Sequence, residues 1–151
     1  MERKNEMESK EKLIQLIKQQ IGIENEHVEH ISKLEKMVNV AAAKLLLLEM
    51  RLDSQKHAGI LNGILEVLQG VPSNLTLWNY QIESYTDQIA VKKSLELHIK
   101  MEKDVIAHVQ EEIRRTDDEG MKLLLQHIAD DENKHHKILE TIVKNMYKIK
   151  P

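Results

Sequence analysis

The chain has 151 residues, 41% of them apolar and 31% charged, with a formal charge of −3, no cysteine and no phenylalanine. That length supports one domain with an aliphatic core, and the missing cysteines exclude disulfides, thiol nucleophiles and Cys-based zinc or rubredoxin-type iron sites. Lys and Glu are interspersed without a basic, aromatic-bearing stripe, which speaks against nucleic acid as a partner. The longest strongly apolar run, Val40 to Leu48, is broken by Lys44 and too short for a bilayer, and the start, Met1 to Glu8, has no apolar signal region. A cytoplasmic protein without membrane contact is expected. Helix-forming residues dominate, with only five Gly and two Pro, so the fold is read as all-α.

Periodicity predicts four helices in one domain. The first spans about 9–37, with Leu13, Ile17, Ile21, Val28, Ile31 and Leu34 at helical spacing. Asn39 is read as the break and as N-cap of a second helix over about 40–69, whose inner face includes Leu45, Leu46, Ile60, Ile64 and Val67 and which Gly70 and Pro72 end. Residues 70–88 form a long connection carrying Trp78, Tyr80 and Tyr85, read as aromatics that pin the crossover, with a redox relay or substrate wall as the other reading. A third helix over about 89–115 carries Leu95, Ile99, Ile106, Val109 and Ile113; Thr116-Asp-Asp118 supplies a turn and caps; a fourth spans about 118–148. Short, long and short loops give two antiparallel hairpins joined by a crossover, the connectivity of a ferritin-like four-helix bundle. The two hairpins are candidates for an internal repeat.

Each helix carries ionisable residues where its apolar face should continue. On a helical wheel these are Glu24 with His27, Asp53 with His57, His98 with Glu102, and Glu132 with His135, while Glu26, Glu29, Ser54 and Glu111 are placed elsewhere. Ionised side chains are seldom buried unless paired or metal-bound. Counted from turns at Asn39 and Asp117, Glu24, Asp53, Glu102 and Glu132 lie fourteen or fifteen residues away, and His57 and His135 eighteen. At 1.5 Å per residue this sets a polar layer roughly 22 Å from each turn. Carboxylates and imidazoles at i, i+3 or i, i+4 suit iron, manganese or zinc. Glu49 is surplus to this pattern and is read as solvated or hydrogen-bonded; His108, His127 and His136 are read as surface groups or supports for ligands.

Glu132-Asn-Lys-His135, within Asp130-Asp-Glu-Asn-Lys-His-His-Lys, with Glu102 and with Glu24 in Ile23-Glu-Asn-Glu-His27, resembles the rubrerythrin-like branch of the ferritin-like di-iron carboxylate superfamily. The resemblance runs from about residue 10 to 147. It implies two helices that each give a Glu and two that each give a Glu-x-x-His. Helix 2 departs from that pattern, because Ser54 stands three residues before His57 and Asp53 or Glu49 must supply any carboxylate. The resemblance further implies two iron ions, with manganese or zinc as alternatives, reacting with peroxide or dioxygen. In the absence of a rubredoxin module, electrons are expected from a separate protein or small reductant. A homodimer is expected from apolar residues at helix ends. The competing expectation is a non-catalytic helical assembly module with a zinc, single-metal or vestigial site.

Overall fold

The computed structural model describes residues 2–72, 74–82 and 87–147, of which 2 and 3 by backbone alone. Among the described residues there are four helices: α1 (Glu2–Met37), α2 (Ala41–Gly70), α3 (Gln88–Arg115) and α4 (Glu119–Met146). Among the described residues there is no strand, and no helix is long and apolar enough to cross a membrane. Helix α1 begins seven residues before the expected start at 9, since the charged segment ahead of it contains no Gly or Pro to stop the helix.

Local capping sets the other ends. Asp118 accepts a hydrogen bond on Oδ1 from the Met121 N–H at 2.8 Å, and Thr116 Oγ1 accepts from the Asp118 N–H at 3.2 Å, so the expected turn is present. Asp87 caps α3 through the N–H groups of Ile89 and Ala90, a start signal one residue earlier than the apolar pattern suggests. Asn39 does not cap α2. The N-cap is Val40, in an extended conformation with no side-chain bond, and Asn39 lies one residue too far from the first free N–H groups. At the end of α2, a Cβ on Gly70 would stand 2.9 Å from Tyr80 Oη, so glycine there admits the tyrosine. Tyr80 thereby holds the start of the crossover against its own hairpin; Trp78 is 54% exposed, and Tyr85 lies outside the described residues.

The helices form two compact units, Met1–Tyr80 and Gln81–Pro151, each an α-helical hairpin. In the first, Lys10 Nζ donates to the Val71 carbonyl, Glu24 lies beside His57, and Glu35 pairs with Arg51, a sequence of cross-links that defines an antiparallel pair. In the second, Tyr147 Oη donates to the Gln88 carbonyl at 3.3 Å, and Lys92 lies over the Tyr147 ring, so α4 runs back along α3.

Within each hairpin the covered residues follow steps of four and three. Ile14, Ile17, Ile21, Glu24, Val28 and Ile31 line α1; Leu47, Arg51, Ser54, Ala58, Leu61 and Leu65 line α2. The corresponding seams are Leu95, Glu102, Ile106, Val109 and Ile113 on α3 and Leu125, Ala129, Glu132, His136, Leu139 and Val143 on α4. An average of 3.5 residues is the repeat of helices packed in coiled-coil fashion. Leu45 and Ile60, expected inside, lie off this seam and are 48% and 56% exposed.

A constant shift of seventy-eight residues relates the two hairpins. It carries Ile17, Glu24 and Ile31 onto Leu95, Glu102 and Val109, and Leu47, Ser54, His57 and Ala58 onto Leu125, Glu132, His135 and His136. The same shift takes the end of α1 to the end of α3 and the start of α2 to the start of α4. The hairpins are structural repeats in register.

Capping predicts a contrast between the two turns. Asp118→Ala should lower stability by about 1 kcal/mol, whereas Asn39→Ala should change it by less than about 0.5 kcal/mol. Urea unfolding followed by circular dichroism measures both, and equal losses would restore the cap to Asn39.

Candidate metal centre

The α3–α4 hairpin places two acids of its seam against each other. Glu102 is 9% exposed and its Oε2 is buried without a hydrogen-bond donor. Glu132 faces it from α4, and His135, one turn further along α4, has Nδ1 3.5 Å from Glu132 Oε2. One ligand atom from each of Glu102, Glu132 and His135 lies within 4.8 Å of the others, and among the described residues this is the group of three such donors that forms. His98 brings Nε2 to 3.3 Å from Glu102 Oε1 from the preceding turn of α3. His135 and His98 remain about half exposed, since each flanks the seam that holds the acids.

Two ionised carboxylates have no hydrogen to offer each other, so one proton is shared. The contact with Glu132 holds Glu102 below the ordinary glutamate range, against the effect of burial and aided by His135 and His98. The contact with Glu102 pushes Glu132 up, reinforced by burial and by the like charge. A divalent cation would replace that proton: two carboxylates match its charge, a nitrogen donor completes a mixed set, and Glu102 Oε2 gains a partner. These residues fit one metal ion.

The α1–α2 hairpin is built differently at the same height. Glu24 is buried, and its carboxylate already has donors: Gln20 Nε2 lies 3.2 Å from Oε1, Ser54 hydrogen-bonds it, and His57 Nδ1 stands at 3.5 Å. Burial raises the Glu24 carboxyl, but Gln20, Ser54, His57 and His27 together reverse this and hold it below the usual range. His27 contributes through its field and is exposed on the α1 surface.

Two placements differ from expectation. Ser54, read as pointing away, is 7% exposed and faces Glu24, while Asp53, read as inward, is half exposed and accepts from Lys56 Nζ at 2.7 Å. The cause is the seam period: steps of four and three run Arg51, Ser54, Ala58, so Asp53 falls beside the line. His136, read as a surface group or a support for a ligand, lies in the seam. Its side chain is 16% exposed, with Nε2 3.1 Å from Glu140 and Nδ1 buried without a partner.

The proton shared in the second hairpin fixes the sign of a pH effect. A carboxyl raised by folding binds protons more tightly in the native state, so stability falls as pH rises above the ordinary glutamate range. A lowered carboxyl costs stability in the opposite direction, as pH falls below that range. Chelator-treated protein should therefore melt at lower temperature on the alkaline side of that range, and Glu132→Gln should flatten this limb. Thermal melts from acid to neutral pH test it; an unchanged profile in Glu132→Gln would remove the shared proton from the account.

The rubrerythrin family model matches residues 34–143, well over half of the chain, from the last turn of α1 into α4. The match includes Ser54, His57, Glu102, Glu132 and His135 and leaves Glu24 and His27 outside. No curated protein and no solved structure shows a significant match. With four helices, two hairpin repeats and carboxylates set in their seams, the chain belongs to the rubrerythrin family and has its all-α, ferritin-like four-helix fold.

Proposed function

We propose that the chain is a metalloprotein that holds iron, or manganese, through Glu102, Glu132 and His135 and reacts with peroxide or dioxygen. One observation carries the reading: a buried carboxylate oxygen with no donor, Glu102 Oε2, beside a second carboxylate and an imidazole, in a member of the rubrerythrin family. When bound, the ion supplies electrons to the oxidant.

The surrounding residues prepare that chemistry. Glu102 and Glu132 cancel the charge of a divalent ion, and the nitrogen of His135 favours a transition metal over calcium or magnesium. His98 sits against Glu102 Oε1, where a hydrogen bond orients the carboxylate. Val109 and Ala129, 5% and 2% exposed, keep bulk water from the same seam. Glu132 gives up its shared proton when a cation enters, so loading strengthens with rising pH. These 151 residues contain no cysteine, and the reading has a separate protein or a small reductant restore the reduced ion.

A second reading has Ser54 behind it. A chain that has exchanged one seam carboxylate for a hydroxyl fits a non-catalytic module that keeps its polar layer for assembly, with zinc or a redox-silent ion. Anaerobic loading with Fe(II), followed by peroxide, separates the two. The proposed function expects oxidant-dependent absorption in the wild type. Glu132→Ala should weaken loading by about tenfold to a hundredfold or more, as loss of a metal contact does, and Glu26→Ala should not change it. Spectral silence with intact zinc binding would favour the module, and equal loading of the two variants would remove Glu132 from the site.

A further inference from the structure

We propose that this chain binds one metal ion rather than two, and that Ser54 is the residue that sets this number. The inference rests on the metal reading of the α3–α4 hairpin and extends it by comparing the two repeats.

The shift that superimposes the repeats carries Glu24 onto Glu102, His57 onto His135 and Ser54 onto Glu132. Three positions of the polar layer are therefore matched in place, and two of them also in residue type. The third exchanges a carboxylate for a hydroxyl. Ser54 is 7% exposed and occupies the seam itself, and Asp53, one residue earlier, accepts a hydrogen bond from Lys56.

Two consequences follow for a cation. In the second hairpin Glu102 and Glu132 offset both charges of a divalent ion, whereas in the first Glu24 alone offsets one, and the remaining charge would sit at a buried position. The donors are also committed differently. Glu102 faces a second acid, Glu132, while the Glu24 carboxylate receives Gln20 and Ser54 and stands against His57. Metal at Glu24 would have to displace those contacts, while at Glu102 the partner across the seam is itself a carboxylate that can join the ligand set. The first hairpin keeps the framework of a metal half-site and closes it with hydrogen bonds.

The test is the stoichiometry of Mn(II) bound to full-length, metal-free protein, read from the loss of the free-ion electron paramagnetic resonance signal and from metal analysis after gel filtration. Wild type should saturate near one ion per chain and Ser54→Glu near two, with Ser54→Asp as the second variant should the longer side chain disturb folding. Saturation of the wild type near two would overturn the inference while leaving the proposed metal function intact. One ion in the wild type and still one in both folded Ser54 variants would overturn the role of Ser54. No binding by the wild type would overturn the metal function, and the inference with it.

Discussion

Glu102 and Glu132 meet across a helical seam, and that contact is the constraint to which the rest of the second hairpin answers. Two unit charges about 4 Å apart repel by about 4 kcal/mol at an effective dielectric of 20. A whole domain is held by about 5–15 kcal/mol, so the pair is not tolerable as two bare anions. A shared proton relieves it at the expense of charge, and a divalent cation relieves it while filling the empty acceptor on Glu102. His135 and His98 are placed to assist either solution, each beside one acid and each half exposed.

The narrowness of the seam decides which side chains take part. With a repeat of 3.5 residues, each helix buries one line against its partner, and a residue one position off that line lies at its edge. Glu24, Ser54, Glu102 and Glu132 are on the line; His57 and His135 follow by three residues and flank it. An acid on the line and an imidazole at its edge offer a cation a dry oxygen and a nitrogen reachable from solvent. The same geometry places Asp53 beside Lys56, where an exposed ion pair contributes little to stability.

Helix number, the short turns at 38–40 and 116–118 and the long connection were legible because apolar periodicity and turn chemistry agree there. Glu24, Glu102 and Glu132 were legible as charges within apolar stripes. Asp53 lies one position off the seam of its own hairpin, a shift that a wheel of 3.6 residues does not show because it drifts by about 20° per heptad against a 3.5-residue seam. A signal for Ser54 was nonetheless present, since it lies fifteen residues after Asn39, as Glu132 lies fifteen after Asp117. It was missed because a hydroxyl does not stand out among apolar neighbours as a carboxylate does. Gln20 and His136 were hidden for another reason: their importance lies in a partner across or along the seam, and spacing alone does not reveal which atoms find donors.

The repeat turns this single exchange into a statement about chemistry. Had both hairpins kept the pattern of Glu102, Glu132 and His135, each would offer a charge-balanced position, and two ferrous ions could furnish the two electrons that convert peroxide to water. With Ser54 in place, one hairpin keeps that balance and the other stabilises its lone buried acid through Gln20, Ser54 and His57. On the single-ion proposal, one ion moving between its ferrous and ferric states would provide one electron, and a reductant would have to supply the second within the same turnover. A protein working in that way would depend on its reductant during the reaction as well as after it. On the same proposal, the hydroxyl of Ser54 removes one buried charge from the polar layer, and the first hairpin settles its remaining acid with hydrogen bonds where the second offers a cation two carboxylates.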